Sequence, residues 1–347
     1  MGNSKAVAEP ASVLPPIYRT TDTRDSAFRS SPYKEGKGKM SLKNLRWKIV
    51  IMALVLFWSR SDLVFAQQIR VVATFPDLAD ITRQIGKEMV AVESLATGVE
   101  DPHGVPIKPS FVPKLNRADV LVLMGLDDEH SWLPALLEVA ANSKILLGRP
   151  GYIDCSIGVP VLEAPTLVDR SEGDLHPKGN PHYLLDPVYG KIAAKNIAAG
   201  LSRNFPQYQQ TFEKNLKAYL AELDDWIARW EKMATGLRGV KYVEYHPEWV
   251  YFANRFGLER VGSVELKPGI EPTPNHVVEL VQQIKQEKPK VLIYGAQNPR
   301  LPQQIATETG IKLLRLYSNG GGRPETDTYI KWIDFTVRTL LQTVDVN

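Results

Sequence analysis

Residues 206–237 read PQYQQTFEKNLKAYLAELDDWIARWEKMATGL. Phe212, Leu216, Tyr219, Leu223, Trp226, Trp230 and Met233 recur every three or four residues and mark one apolar face. The spacing predicts one helix of roughly 30 residues, about 45 Å long at about 1.5 Å per residue. Gly236 and Gly239 close it. It is much longer than the helices its neighbours encode, so it can run along two lobes as a spine. Two helices with an unmarked break are the alternative. Trp226 and Trp230 read as packing groups on this spine.

On either side short apolar runs alternate with amphipathic stretches. Before the spine, strands are expected at 69–75, 90–95, 119–124 and 145–147, with helices at 78–86 and 132–141. After it come a strand at 240–245, a helix at 274–286, a strand at 290–294, a helix at 301–309, a strand at 313–316 and a last helix at 326–343. This order predicts an α/β fold of two lobes, each a mostly parallel sheet flanked by helices, joined by the long spine helix. The domain organisation that follows is an N-terminal lobe over 67–205, the linking helix over 206–237 and a C-terminal lobe over 238–347.

The formal net charge of +3 is unevenly distributed. Residues 1–66 hold eleven Lys or Arg against five Asp or Glu, and the rest of the chain has 31 basic against 34 acidic residues. The basic character belongs to the leader, so the electrostatic case for nucleic-acid binding falls away. Within that leader Met40 opens a positive stretch (Lys43, Arg46, Lys48), then comes the apolar run 49–58, then Val64-Phe65-Ala66. This is the order of a secretory signal over 40–66, too short in its apolar run to span a bilayer comfortably. Residues 1–39 lack apolar periodicity and read as a disordered or upstream extension. Cys155 is the only cysteine, so neither an internal disulfide nor a cysteine-rich metal site is possible. Any metal must be held by nitrogen and oxygen ligands, and an exported chain of this kind suits a periplasm-like space.

Three of the six histidines share a setting. His103 lies in Asp101-Pro102-His103, His182 in Asn180-Pro181-His182, and His246 precedes Pro247 at the end of the 240–245 strand. Each stands at a strand-to-helix loop beside a proline that restricts the backbone, and in open α/β sheets such loops bind ligands. Imidazole is a good ligand for Zn²⁺, and three histidines on one ion are a recurring arrangement.

The motifs around these histidines carry a resemblance. Residues 98–125, with DPHGVPIKPS and LNRADVLVLMG, are similar to the first metal motif of the solute-binding proteins that serve zinc and manganese ABC transporters. GNPHYLLDP at 179–187 resembles the second motif, EYHPEWVYFANRFGL at 244–258 the third, and VELKPGIEPTPNHVVELV at 264–281 the segment that follows. The motifs keep the family's order and span roughly residues 69–344. The resemblance implies two α/β lobes joined by a long helix, and a periplasmic receptor rather than an enzyme. It implies a transition-metal site of His103, His182 and His246, and delivery of the ion by a monomer to a membrane ABC permease; the neutral three-histidine donor set leans toward Zn²⁺ over the harder Mn²⁺.

In the family a second-lobe carboxylate usually completes the site, and here this sequence departs. Tyr317, in Leu316-Tyr317-Ser318-Asn319-Gly320, stands where the aspartate is expected, and Gly295-Ala296-Gln297-Asn298 offers no acid either. Water in the fourth position, another acid such as Asp327, or weakened metal binding are the three possible outcomes. The missing acid keeps two rivals open: a metal-free adhesin or scaffold, and a zinc hydrolase with Glu244 or Glu248 as a generic base. No HExxH sequence supports the hydrolase. His176, in the acid-containing loop 167–178, reads as part of a solvated loop or a metal-capture device. His130 and His276 read as structural, Asp186 as a helix cap or a support for His182, and Gly320-Gly321-Gly322 as a turn, because no P-loop Lys-Ser/Thr follows.

Overall fold

The computed structural model describes Trp47 and residues 68–164, 177–266 and 270–344. The 1–39 extension, the export signal apart from Trp47, and His176 lie outside these residues. Among the described residues no helix is long and apolar enough to cross a membrane.

The first lobe contains β1 (Ile69–Ala73), α1 (Pro76–Gly86), β2 (Val90–Ser94), α2 (Phe111–Arg117), β3 (Val120–Leu123), α3 (Leu133–Ala140), β4 (Tyr152–Asp154) and α4 (Pro187–Asn204). Next comes α5 (Gln209–Met233), unbroken for 25 residues and extended by 3₁₀ turns at Pro206–Tyr208 and Ala234–Leu237. The second lobe has β5 (Lys241–Glu244), α6 (Val250–Phe256), β6 (Glu259–Ser263), α7 (Pro274–Glu287), β7 (Val291–Tyr294), α8 (Arg300–Thr309), β8 (Lys312–Arg315) and α9 (Tyr329–Thr343). The strands form two four-stranded parallel sheets, ordered β2-β1-β3-β4 and β6-β5-β7-β8. Two parallel sheets flanked by helices and linked through a long helix are what the sequence pattern predicts.

Burial follows position in the sheet. Every residue of β3 is buried, as expected of a central parallel strand covered on both faces. The edge strand β8 carries Lys312 and Arg315 outward. Successive residues of β5 point to opposite faces. Tyr242 enters the main apolar core with Trp230, Trp249, Tyr329 and Trp332, whereas Val243 enters a smaller core with Val264, Leu280, Ile284, Leu292 and Ile305. Trp230 is fully buried, and its indole donates to Asp334 Oδ1 on α9 at 3.1 Å. The spine therefore ties the last helix into the core of the first lobe.

One strand expectation fails. Residues 145–147 are not a strand: Ser143–Ile145 is a 3₁₀ turn whose Asn142 side chain accepts from Lys144 N at 3.1 Å. Ile145 is buried, but Leu147 is 81% exposed, so the apolar run has only one inward residue. The fourth strand is Tyr152–Asp154 instead, three residues with a single buried apolar side chain. Too short to show alternation, it is placed by its pairing with β3.

In both sheets the strand order reverses direction beside the strand that comes first in sequence, between β1 and β3 and between β5 and β7. Loops leaving the carboxyl ends of strands at such points form the crevice in which α/β proteins bind ligands.

A candidate metal centre between the lobes

His103 sits in a 3₁₀ turn, Pro102–Gly104, after β2. The Asp101 carboxylate accepts from His103 N at 3.0 Å and caps the turn. The buried Trp132 indole donates to Pro102 O at 3.0 Å, and Ser131 Oγ donates to His103 O. The turn is thus anchored to the start of α3. Asp128, 1% exposed, lies 3.5 Å from the His103 Nδ1 atom.

His182 precedes the 3₁₀ turn Tyr183–Leu185, and Asn180 Oδ1 accepts from its backbone N at 3.0 Å. Asn180 Nδ2 donates to Pro247 O at 2.7 Å, and Tyr251 Oη donates to Asn180 O at 2.8 Å. The loop bearing His182 is therefore fastened to the loop bearing His246. Asp186 caps α4 by accepting from Val188 N at 2.9 Å, and also accepts from Arg255 Nε at 2.9 Å. Its carboxylate serves the helix and an arginine of the second lobe.

His246 follows β5 by two residues and is 5% exposed. Its Nδ1 lies 2.8 Å from Glu265 Oε2, which leaves Nε2 as the nitrogen to offer an ion. Burial acts to lower the proton affinity of this ring. The hydrogen bond to Glu265 and the charges of Glu248, Glu265 and Asp101 outweigh it, so the pKa of His246 is raised above the ordinary histidine value.

The three imidazoles converge. One nitrogen from each of His103, His182 and His246 falls in a set whose members all lie within 4.8 Å of one another. The Nε2 atoms of His103 and His182 are 3.3 Å apart. Nitrogens bound at about 2.1 Å to a tetrahedral zinc would stand about 3.4 Å apart, so the spacing fits an ion of that size. Buried acids surround the cluster. Burial and the charges of Glu129, Asp101, Asp77 and Glu248 push Asp128 well above the usual carboxylate range. Burial likewise raises Glu248 to about 7 and Asp77 to about 6. A cation placed among these groups would favour their ionised forms, so metal binding is expected to release protons from them.

Other sequence candidates fall elsewhere. Tyr317 lies beside Arg315, whose guanidinium stands 5.2 Å from its ring centre, and its carbonyl accepts from Trp332 Nε1 at 3.2 Å. Asp327 is exposed and paired with Lys331 at 2.7 Å. Glu244 is fully buried and accepts from Trp249 N, Arg260 and Ser263, a structural role. His130 is exposed and lies 2.6 Å from Asp127 O, while His276 Nε2 donates to Ser263 O at 2.9 Å. The glycine run is a turn with positive φ at Gly321 and Gly322. Asp128 and Glu265 carried no sequence signal beyond their neighbourhood, because their approach to the histidines depends on the fold.

Comparison with known proteins places this geometry in a family. Residues 71–343 match the model described as zinc-uptake complex component A, periplasmic. The iron ABC transporter substrate-binding lipoprotein MtsA of Streptococcus pyogenes is 27% identical over 262 residues, which cover 72% of this chain and 79% of that protein. The manganese ABC transporter substrate-binding lipoprotein PsaA of Streptococcus mitis is 27% identical over 270 residues, covering 76% and 84%. Among solved structures, that of ZnuA superposes with a TM-score of 0.66 at 24% identity, covering 80% of this chain and 99% of that one. With the family model spanning both sheets, the long helix and all three histidines, the chain belongs to the zinc-uptake complex component A periplasmic family.

Proposed function

We propose that this chain is the exported, monomeric receptor of a metal-uptake ABC transporter, a binding protein and not an enzyme. It captures Zn²⁺ between its lobes through His103, His182 and His246 and delivers it to the membrane permease. The observation that carries this reading is the convergence of three imidazole nitrogens from both lobes within 4.8 Å. The names of the relatives, which specify iron and manganese as well as zinc, support a transition metal as cargo. The donor set favours zinc: three nitrogens suit Zn²⁺, whereas Mn²⁺ prefers oxygen ligands.

Competition titration of the purified chain with Zn²⁺ and Mn²⁺ tests the choice. Zinc is expected to bind at least about 100-fold more tightly, which corresponds to about 2.7 kcal/mol. Tighter binding of manganese would overturn the zinc assignment. Absence of binding by any transition metal would overturn the receptor reading and leave a metal-free adhesin or scaffold.

Binding requires unprotonated imidazoles, so protons and metal compete. A proton on His246 is held more tightly than on a free histidine, so competition begins above the ordinary value of about 6.5. Zinc affinity is therefore expected to fall as pH drops, starting at a higher pH than a free histidine would impose. Once a ligand histidine is protonated, the loss reaches about tenfold for each further unit of pH. A chelator-competition series from pH 8 to 5.5 measures this, and a flat profile would contradict it.

A further inference from the structure

The family's usual second-lobe acid is absent from the loop after β8, yet the short segment that carries His246 holds another buried carboxylate. Glu248 lies two residues beyond His246 and is 4% exposed. Its backbone N donates to His246 O at 2.7 Å, a three-residue turn centred on Pro247. Proline's fixed φ suits the central position of such a turn, which sets the His246 and Glu248 side chains on one short, stiff segment.

The carboxylate is held by the two loops in which an acid is expected. Gln297, from the loop after β7, donates its Nε2 to Glu248 Oε1 at 3.3 Å. The orientation of that amide is fixed, because Gln297 Oε1 accepts from Gly295 N at 2.8 Å. The Ser318 hydroxyl, beside Tyr317 in the loop after β8, acts on the same carboxylate and favours its ionised form. Both loops therefore supply donors that position Glu248 instead of supplying an acid themselves. The other acids at the site have different partners: Asp128 lies against the His103 ring and Glu265 against the His246 ring.

We propose that Glu248 provides the negative charge that balances a dication bound by the three histidines, in place of the acid missing at Tyr317. This rests on the metal-receptor reading. The Glu248 oxygens lie outside the 4.8 Å set of the imidazole nitrogens, so the residue acts from one layer out as a positioning and charge-balancing group. Its donors Gln297 and Ser318 are neutral, so its charge is not spent on a basic partner among them.

The test uses Zn²⁺ and Co²⁺ as probes on the wild-type chain, Glu248→Gln and Glu248→Asp. Glu248→Gln keeps the shape and removes the charge, and is expected to weaken zinc binding about 10- to 100-fold. It should also shift the visible absorption of bound Co²⁺, while the melting temperature of the metal-free protein stays within a few degrees of wild type. Glu248→Asp should recover part of the affinity. A Glu248→Gln chain with wild-type zinc affinity and an unchanged Co²⁺ spectrum would overturn the proposal. If the wild-type chain itself bound neither ion, the receptor reading would fail first, and the two failures are distinguished by that control.

Discussion

His103→Ala is expected to bind zinc at least about 100-fold more weakly than the wild-type chain. Four-ligand protein zinc sites are worth roughly 10–16 kcal/mol in apparent binding energy, so each ligand carries about 3 kcal/mol, or about two decades of affinity. The variant should fold, because His103 sits in a turn whose side chain is 13% exposed, and the anchors of that turn are backbone groups: His103 N, His103 O and Pro102 O. Thermal denaturation gives a second readout. Zinc at 1,000 times the wild-type dissociation constant stabilises the folded state by about 4.1 kcal/mol, and the same concentration gives the weakened variant only about 1.4 kcal/mol. If zinc stabilised His103→Ala as strongly as wild type, His103 would not be a ligand.

The site and its surroundings differ in how much the sequence discloses. The spine helix was legible because seven apolar residues repeat with one period within the 25-residue helix, and the central strands because unbroken apolar runs such as Val120–Leu123 need cover on both faces. The three histidines were legible because each adjoins a proline in a loop that follows or precedes a regular element. Their convergence was an inference from resemblance until the fold brought residues 103, 182 and 246 together. The acids were not legible. Glu265 reaches His246 only because β6 pairs in parallel with β5, bringing the loops beyond both strands together. Asp128 reaches His103 only because α3 packs its Trp132 on the Pro102 turn. Such contacts depend on the register of elements distant in sequence. The three-residue strand β4 was missed for a related reason: only its pairing partner identifies it.

The same dependence on distant residues explains the glycines between the lobes, and it yields the largest expected effect on stability. Gly98→Ala should destabilise the folded chain by about 2–5 kcal/mol, combining a disfavoured backbone conformation with overpacking. Gly98 has φ +87, and an added Cβ would fall 1.8 Å from Gly320 O, a backbone atom of the other lobe. The approach is reciprocal, since a Cβ on Gly321, at φ +103, would fall 2.5 Å from Thr97 O. Around this contact Asp77 accepts from Asn319 Nδ2 and Gly320 N at 3.3 Å each, and Asp80 accepts from Tyr329 N at 2.9 Å. The lobes thus meet backbone on backbone beside the loop that carries His103. Pushing them apart should weaken zinc binding as well as stability, because the three nitrogens come from both sides of this seam. Gly104→Ala in the same loop is the matched control: nothing lies within 4 Å of its added Cβ, and its change should stay within about 0.5 kcal/mol. Urea denaturation of the two metal-free variants, followed by zinc titration, decides the matter. Equal stability of Gly98→Ala and Gly104→Ala would show that the seam yields without loss. A large difference accompanied by weaker zinc binding would mark the seam as a close-packed junction that holds the loops around the site in register.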